Sequence, residues 1–185
     1  VVDEEDNRPS IIAMLKNIQS MIIKRLSRGL TYIVFVFVFL ASLTTALTTN
    51  AVGIVTDCTT FGPGPGTLAT ALVSGGSITF GCDGTIVVPG IVVIADTDID
   101  ASGHSITLSG NDANRVLFVN PAVTLSLKNI TVSHGRLLDP SGGAGIRNEG
   151  TLNILNSTIA NNTLNYPPSH GAGIYNIGVI NINNS

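Results

Sequence analysis

The chain has 185 residues, a formal net charge of −3, 11% charged residues and no tryptophan. That balance gives no basic surface for nucleic acid, and the three histidines share no metal-ligand spacing. Abundant glycine, asparagine and small β-branched residues point to stacked strands with tight corners.

Residues 1–20 open on valine and carry Asp3, Glu4, Glu5 and Asp6. They read as a disordered or over-extended N-terminal segment. Residues 21–51 place Lys24, Arg25 and Arg28 before an apolar run over residues 32–43 and a Thr- and Ala-rich stretch. A basic head, an apolar core and small residues make a secretory signal, with cleavage expected after Ala46 or Ala51. The alternative is one transmembrane anchor helix, because no charge falls between Gly29 and Thr56 and about 20 apolar residues suffice to span a bilayer. In that case the basic residues keep residues 1–20 in the cytoplasm. Either reading exports the rest of the chain, to the medium or to the cell surface.

Residues 52–185 form the third segment. Its two cysteines, Cys58 and Cys82, form an even pair in an exported chain, which favours a disulfide. Between them, residues 66–73 set Leu68, Ala71 and Leu72 on one helical face. This is the spacing of a short capping helix.

The remainder repeats itself. Gly143-Ala144-Gly145-Ile146-Arg147-Asn148 returns as Gly171-Ala172-Gly173-Ile174-Tyr175-Asn176, 28 residues on. Upstream, the stretch from Val123 lies over the stretch from Gly150 at an offset of 27, and Ile94 to Ile99 matches the frame again. A fixed period of this size marks a solenoid. Leu125 and Leu127, like Leu152 and Ile154, alternate with polar residues as strands with one buried face do. At the bend, Asp96, Asn129, Asn156 and Asn184 read as one column, an asparagine ladder whose amides meet from coil to coil about 4.8 Å apart. Asn148 over Asn176 gives a second column.

These phrases, with Ile78-Thr79-Phe80-Gly81-Cys82-Asp83-Gly84 and Thr97-Asp98-Ile99-Asp100 upstream, resemble the right-handed parallel β-helix proteins of bacterial surfaces. Those belong to the pectate-lyase-like superfamily, which includes the polymorphic outer-membrane proteins. The resemblance covers residues 58–185. It implies an all-β, right-handed parallel β-helix solenoid capped by a short N-terminal helix and preceded by the signal or anchor helix. It implies little about activity, since the superfamily holds polysaccharide lyases, hydrolases, adhesins and inert stalks. Asn183-Asn184-Ser185 repeats Leu155-Asn156-Ser157 without the strand that Thr158-Ile159 supplies, so the solenoid reads as truncated at its C-terminus.

Asp98 and Asp100 flank inward Ile99, so both carboxylates leave one outer face. They are the candidates for binding calcium or substrate, as in pectate lyases, with Arg115 or Arg136 as a conceivable base; calcium needs six or more oxygens. Their bland alternative is a pair of solvated charges that discourage edge pairing. His104, His134 and His170 each neighbour a glycine at an apparent bend. The four glycosylation-type triplets arise from composition. Thr131 over Thr158 gives two positions of an outward threonine array of the kind ice-binding solenoids use, too few to define one. The sequence therefore predicts an exported surface protein with a structural, adhesive or passenger role, no catalytic residues and no cofactor other than calcium. Its partner is a polysaccharide or another cell-surface ligand, and only the N-terminal segment touches a membrane. The alternative is a carbohydrate-active enzyme, or polysaccharide binding without turnover.

Overall fold

A computed structural model describes residues 16–17, 19–21, 52–165 and 170–185. The chain divides into Val1–Thr49 and Asn50–Ser185. In the first unit the described residues are helical and exposed. The signal or anchor assigned to residues 21–51, and most of the extension before it, lie outside the described residues. Among the described residues no helix is long and apolar enough to cross a membrane.

The second unit begins with β1 (Val52–Val55), α1 (Leu68–Leu72), β2 (Gly76–Phe80), β3 (Gly84–Val87) and β4 (Ile91–Val93). Then follow β5 (Thr97–Asp100), β6 (Ile106–Ser109), β7 (Leu117–Val119), β8 (Thr124–Lys128), β9 (Ile130–Ser133) and β10 (Arg136–Leu137). The last elements are β11 (Ile146–Asn148), β12 (Thr151–Leu155), β13 (Thr158–Ala160), β14 (Thr163–Leu164), β15 (Ile174–Asn176) and β16 (Val179–Asn183). Apart from β1 and β2, which pair with each other, consecutive strands lie in different sheets, and each pairs in parallel with its counterpart one coil away. The chain is a parallel β-solenoid of about 5 turns. Its long sheet has the order β1-β2-β5-β8-β12-β16, and two four-stranded sheets run β3-β6-β9-β13 and β4-β7-β11-β15.

The core lies inside the coils and follows from the alternation. Ile78, Ile99, Leu127 and Ile154 stack in register along the long sheet, and Ile182, exposed in the last coil, ends the column. Ile86, Leu108, Val132 and Ile159 stack along the second sheet, and Ile91, Leu117, Ile146 and Ile174 along the third. Burying each such side chain fully contributes about 1.5–3 kcal/mol, and stacking makes one coil's floor the next coil's ceiling. At the N-terminal end α1 does this work: Thr67 caps the helix, its side chain accepting from the Thr70 amide, and Leu68 is completely buried in the core. Ala71 and Leu72 pack against the same cluster. Cys58 and Cys82 are disulfide-bonded with Cα atoms 5.9 Å apart, tying the segment between β1 and α1 to the end of β2.

The corners amend the sequence-based reading. Asn129, Asn156 and Asn184 do share a corner, with φ of 56°, 49° and 51°. Asp96 does not belong to that column. It lies one residue before β5, beside Thr124 of the next coil, whose amide donates to Asp96 Oδ1 at 2.8 Å. The reason is register: Thr97 pairs with Leu125 and Asp100 with Lys128, so Asp96 stands at the entry to its strand whereas Asn129 stands at the exit, and the connection from β5 to β6 is five residues long where that from β8 to β9 is Asn129 alone. The Asn129 amide instead donates upward to Ser102 Oγ at 2.7 Å and Asp100 Oδ1 at 3.3 Å. Serines carry the coil-to-coil bonds at the next position: Ser157 Oγ accepts from the Ile130 amide, and the Ser157 amide donates to Ser185 Oγ. An amide-to-amide bond does form in the second column, where Asn148 Nδ2 donates to Asn176 Oδ1 at 2.6 Å. Beside it, Gly143 turns with φ 65°, and a Cβ on Gly145 would lie 2.5 Å from the Gly173 carbonyl oxygen.

Candidate functional site

Strand alternation puts every second residue of the long sheet on its outer face, and register turns these residues into columns. One column reads Ser77, Asp98, Ser126, Asn153, Asn181; its neighbour reads Thr79, Asp100, Lys128, Leu155, Asn183. The lower part of the first is bonded side chain to side chain, Asn181 Nδ2 to Asn153 Oδ1 at 2.9 Å and Asn153 Nδ2 to Ser126 Oγ at 3.3 Å. The upper part opens into a groove of about 310 Å³ lined by Ser77, Asp96, Asp98, Thr124 and Ser126.

The two carboxylates predicted to leave one face do so, and their surroundings differ. Asp98 Oδ2 accepts from Lys128 Nζ at 2.7 Å. Its other oxygen, Oδ1, is buried and has no hydrogen-bond partner. Asp100 is saturated by its own turn, accepting from the Ser102 hydroxyl at 2.6 Å and the Ser102 amide at 2.8 Å. Burial pushes the Asp100 carboxyl up, but the Ser102 bonds, Asn129 and the Lys128 charge together hold it below the usual carboxylate value. The bond to Asp98 raises Lys128 above the ordinary lysine value, against a smaller opposing effect of burial.

Lys128 is the functional residue that sequence reasoning passed over. It lies 28 residues after Asp100, one full repeat, so the repeat was signal enough to find it. Arg115 and Arg136 do not join this group. Arg136 belongs to β10, and the Arg115 guanidinium donates to Gly143 O, Gly142 O and Ser141 Oγ beside the third sheet. Burial, and then the charge of Arg147, pull Arg115 below the usual guanidinium value. Arg147 stands between the Phe118 and Tyr175 rings, 5.8 and 5.5 Å from their centroids, and is paired with Glu149. These arginines fasten the loop before β11. His104 bonds Asp83, His134 faces Asp112, and His170 packs edge-on against Tyr175.

Among the described residues no three His, Cys, Asp or Glu side chains converge as metal ligands. The Lys128 ammonium already occupies one Asp98 oxygen, and the turn engages Asp100. What the groove offers is a row of hydroxyls with two carboxylates as acceptors, the inventory that hydrogen-bonds a polyol. No family model, curated protein or solved structure matches the chain.

Proposed function

We propose that this chain is an exported, non-catalytic adhesive solenoid that holds an extended neutral polysaccharide against the outer face of its long sheet. The observation that carries the reading is the groove at Asp96 and Asp98, where hydroxyl and carboxylate side chains from β2, β5 and β8 and the residues flanking them converge. Sugar hydroxyls donate to carboxylates and both donate to and accept from serine and threonine hydroxyls, which is the pairing these lining residues offer. Carboxylates repel an acidic chain, so the preferred ligand is neutral. The disulfide fits an oxidising compartment, in line with export by residues 21–51. The winding is right-handed, as nearly all parallel crossovers are, and of the pectate-lyase-like kind.

The test is glycan binding by the full chain across a panel of neutral and acidic oligosaccharides, with Asp98→Ala and Ser126→Ala as the perturbed variants. Binding of a neutral oligosaccharide that weakens at least tenfold in Asp98→Ala supports the proposal. Absence of neutral glycan binding, or binding that ignores both substitutions, overturns it.

A second reading, polysaccharide lyase, has one observation in its favour, the carboxylates and Lys128 on adjacent coils. A lysine acting as the base of an elimination must be neutral. The bond to Asp98 holds Lys128 protonated, which favours binding over turnover. Release of unsaturated product from polygalacturonate would reverse that preference.

A further inference from the structure

The three longer sheets present different outer faces. The long sheet carries Asp98, Asp100 and Lys128, and the third carries Val92, Phe118, Arg147 and Tyr175 in one column. The second sheet, β3-β6-β9-β13, has neither charge nor aromatic ring at its outward strand positions. Its central outward column is Thr85, Thr107, Thr131 and Thr158, one threonine from each strand in direct register. The column beside it holds Val87, Ser109, Ser133 and Ala160; Val87 is exposed, whereas Ser109 and Ser133 are buried, so the open part of the face is the threonine column.

Thr85 and Thr158 are exposed, Thr107 and Thr131 half-buried, and none of the four hydroxyls is a buried group lacking a partner. Parallel strands set them about 4.7–4.9 Å apart. Threonine is stiff about χ1, so the hydroxyls and methyls form rows that are already ordered before anything binds.

We infer that this face is an ice-binding surface, in which the column Thr85, Thr107, Thr131, Thr158 adsorbs to a crystal plane of ice. The strand spacing lies close to the repeat of oxygen rows in ice. Water bonded to the hydroxyls and packed over the methyls is held near lattice positions, and the stiff side chains lose little entropy on adsorption. A long or charged side chain would lift the face off a flat crystal, and the outward strand positions hold none. A platform for insoluble glycan would need aromatic rings on which sugars stack, and these positions hold none of those either. The assignment goes beyond the polysaccharide reading and uses a different face.

The experiment measures ice-crystal shape and recrystallisation rate for the full chain, Thr107→Lys/Thr131→Lys, Thr85→Lys and Asp98→Ala. The expected result is faceted crystals and grain growth slowed severalfold by the native chain and by Asp98→Ala. Thr107→Lys/Thr131→Lys should return growth to the buffer rate. All four substituted positions point outward, so circular dichroism should show the native fold retained. If the double variant does not fold, Thr85→Lys at the sheet edge, with an exposed side chain, serves instead. Round crystals with growth at the buffer rate overturn the inference, as does full activity in a folded lysine variant. Retention on crystalline chitin or cellulose without adsorption to ice also overturns it and assigns the face to glycan.

Discussion

Replacing Asn148 by valine removes a polar group from the interior while keeping the shape of its column, since the same register position holds Val93 and Val119 in the two preceding coils. Asn148 is fully buried. Its Nδ2 donates to Asn176 Oδ1 at 2.6 Å and to Val179 O at 2.8 Å, and its Oδ1 accepts from the Gly150 amide at 3.1 Å. Asn176 and Val179 are exposed, so water replaces what they lose. The Gly150 amide is buried, and leaving it without an acceptor costs about 1–3 kcal/mol. The lost bonds add about 0.5–1.5 kcal/mol each, offset by about 1 kcal/mol from extra apolar burial. With about 2 kcal/mol for the Gly150 amide and about 1 kcal/mol for each of the bonds to Asn176 and Val179, less about 1 kcal/mol for burial, the net expectation is a loss of about 3 kcal/mol. Urea unfolding followed by circular dichroism measures it. Hydrogen exchange at Gly150 locates it, which matters because stacked repeats need not unfold as one unit. Asn176→Val, at an exposed position, should cost about 0.5 kcal/mol or less. An Asn148→Val protein as stable as the native chain, with Gly150 equally protected, would refute the reasoning.

Two further expectations follow from the upper end of the solenoid. The Cys58 and Cys82 pair closes a loop across a sequence separation of 24, which by chain entropy is worth about 3 kcal/mol. Cys58→Ala/Cys82→Ala should melt well below the oxidised protein and should not respond to reductant; an unchanged melting temperature would show the bond to be dispensable. Because the folded Asp100 carboxyl lies below its usual value, its contribution is complete above the unfolded pKa of about 3.9. That contribution is lost as pH falls through the lower folded value. Asp100→Asn should therefore flatten the acid limb of a melting-temperature profile, and an unchanged limb would remove Asp100 from the acid response. Lys128 is shifted upward, so its contribution is complete below the unfolded pKa of about 10.4 and fades only as pH rises through the higher folded value.

Much of the fold was legible because the inward residues repeat. Leu125 over Leu152 and Ile146 over Ile174 were readable as offsets of 27 and 28, and both are strand partners. The face shared by Asp98 and Asp100 was equally legible, since alternation along a strand is local. The asparagine column was legible where coils keep the common repeat and was misread at Asp96, which stands at the entry to β5 and not at its exit. Lys128 was legible as the residue one repeat after Asp100, with which it is in register; its pairing with Asp98 was not, because that contact is diagonal to the register.

By itself the sequence determined the period, the inward columns, the left-handed asparagine corners and the cysteine pairing, because these depend on local periodicity or on a partner that only one other residue can supply. Only the tertiary structure decided which outward side chains become neighbours. Successive coils along Ile78, Ile99, Leu127, Ile154 and Ile182 are offset by 21, 28, 27 and 28 residues. An outward residue one coil away therefore stands at a distance in sequence set by connection length. Thr131 over Thr158 was visible because that coil keeps the common repeat. Thr85 and Thr107 joined them only once the register was known, since hydrogen bonds between strands, and not spacing in the chain, fix what meets across a solenoid face.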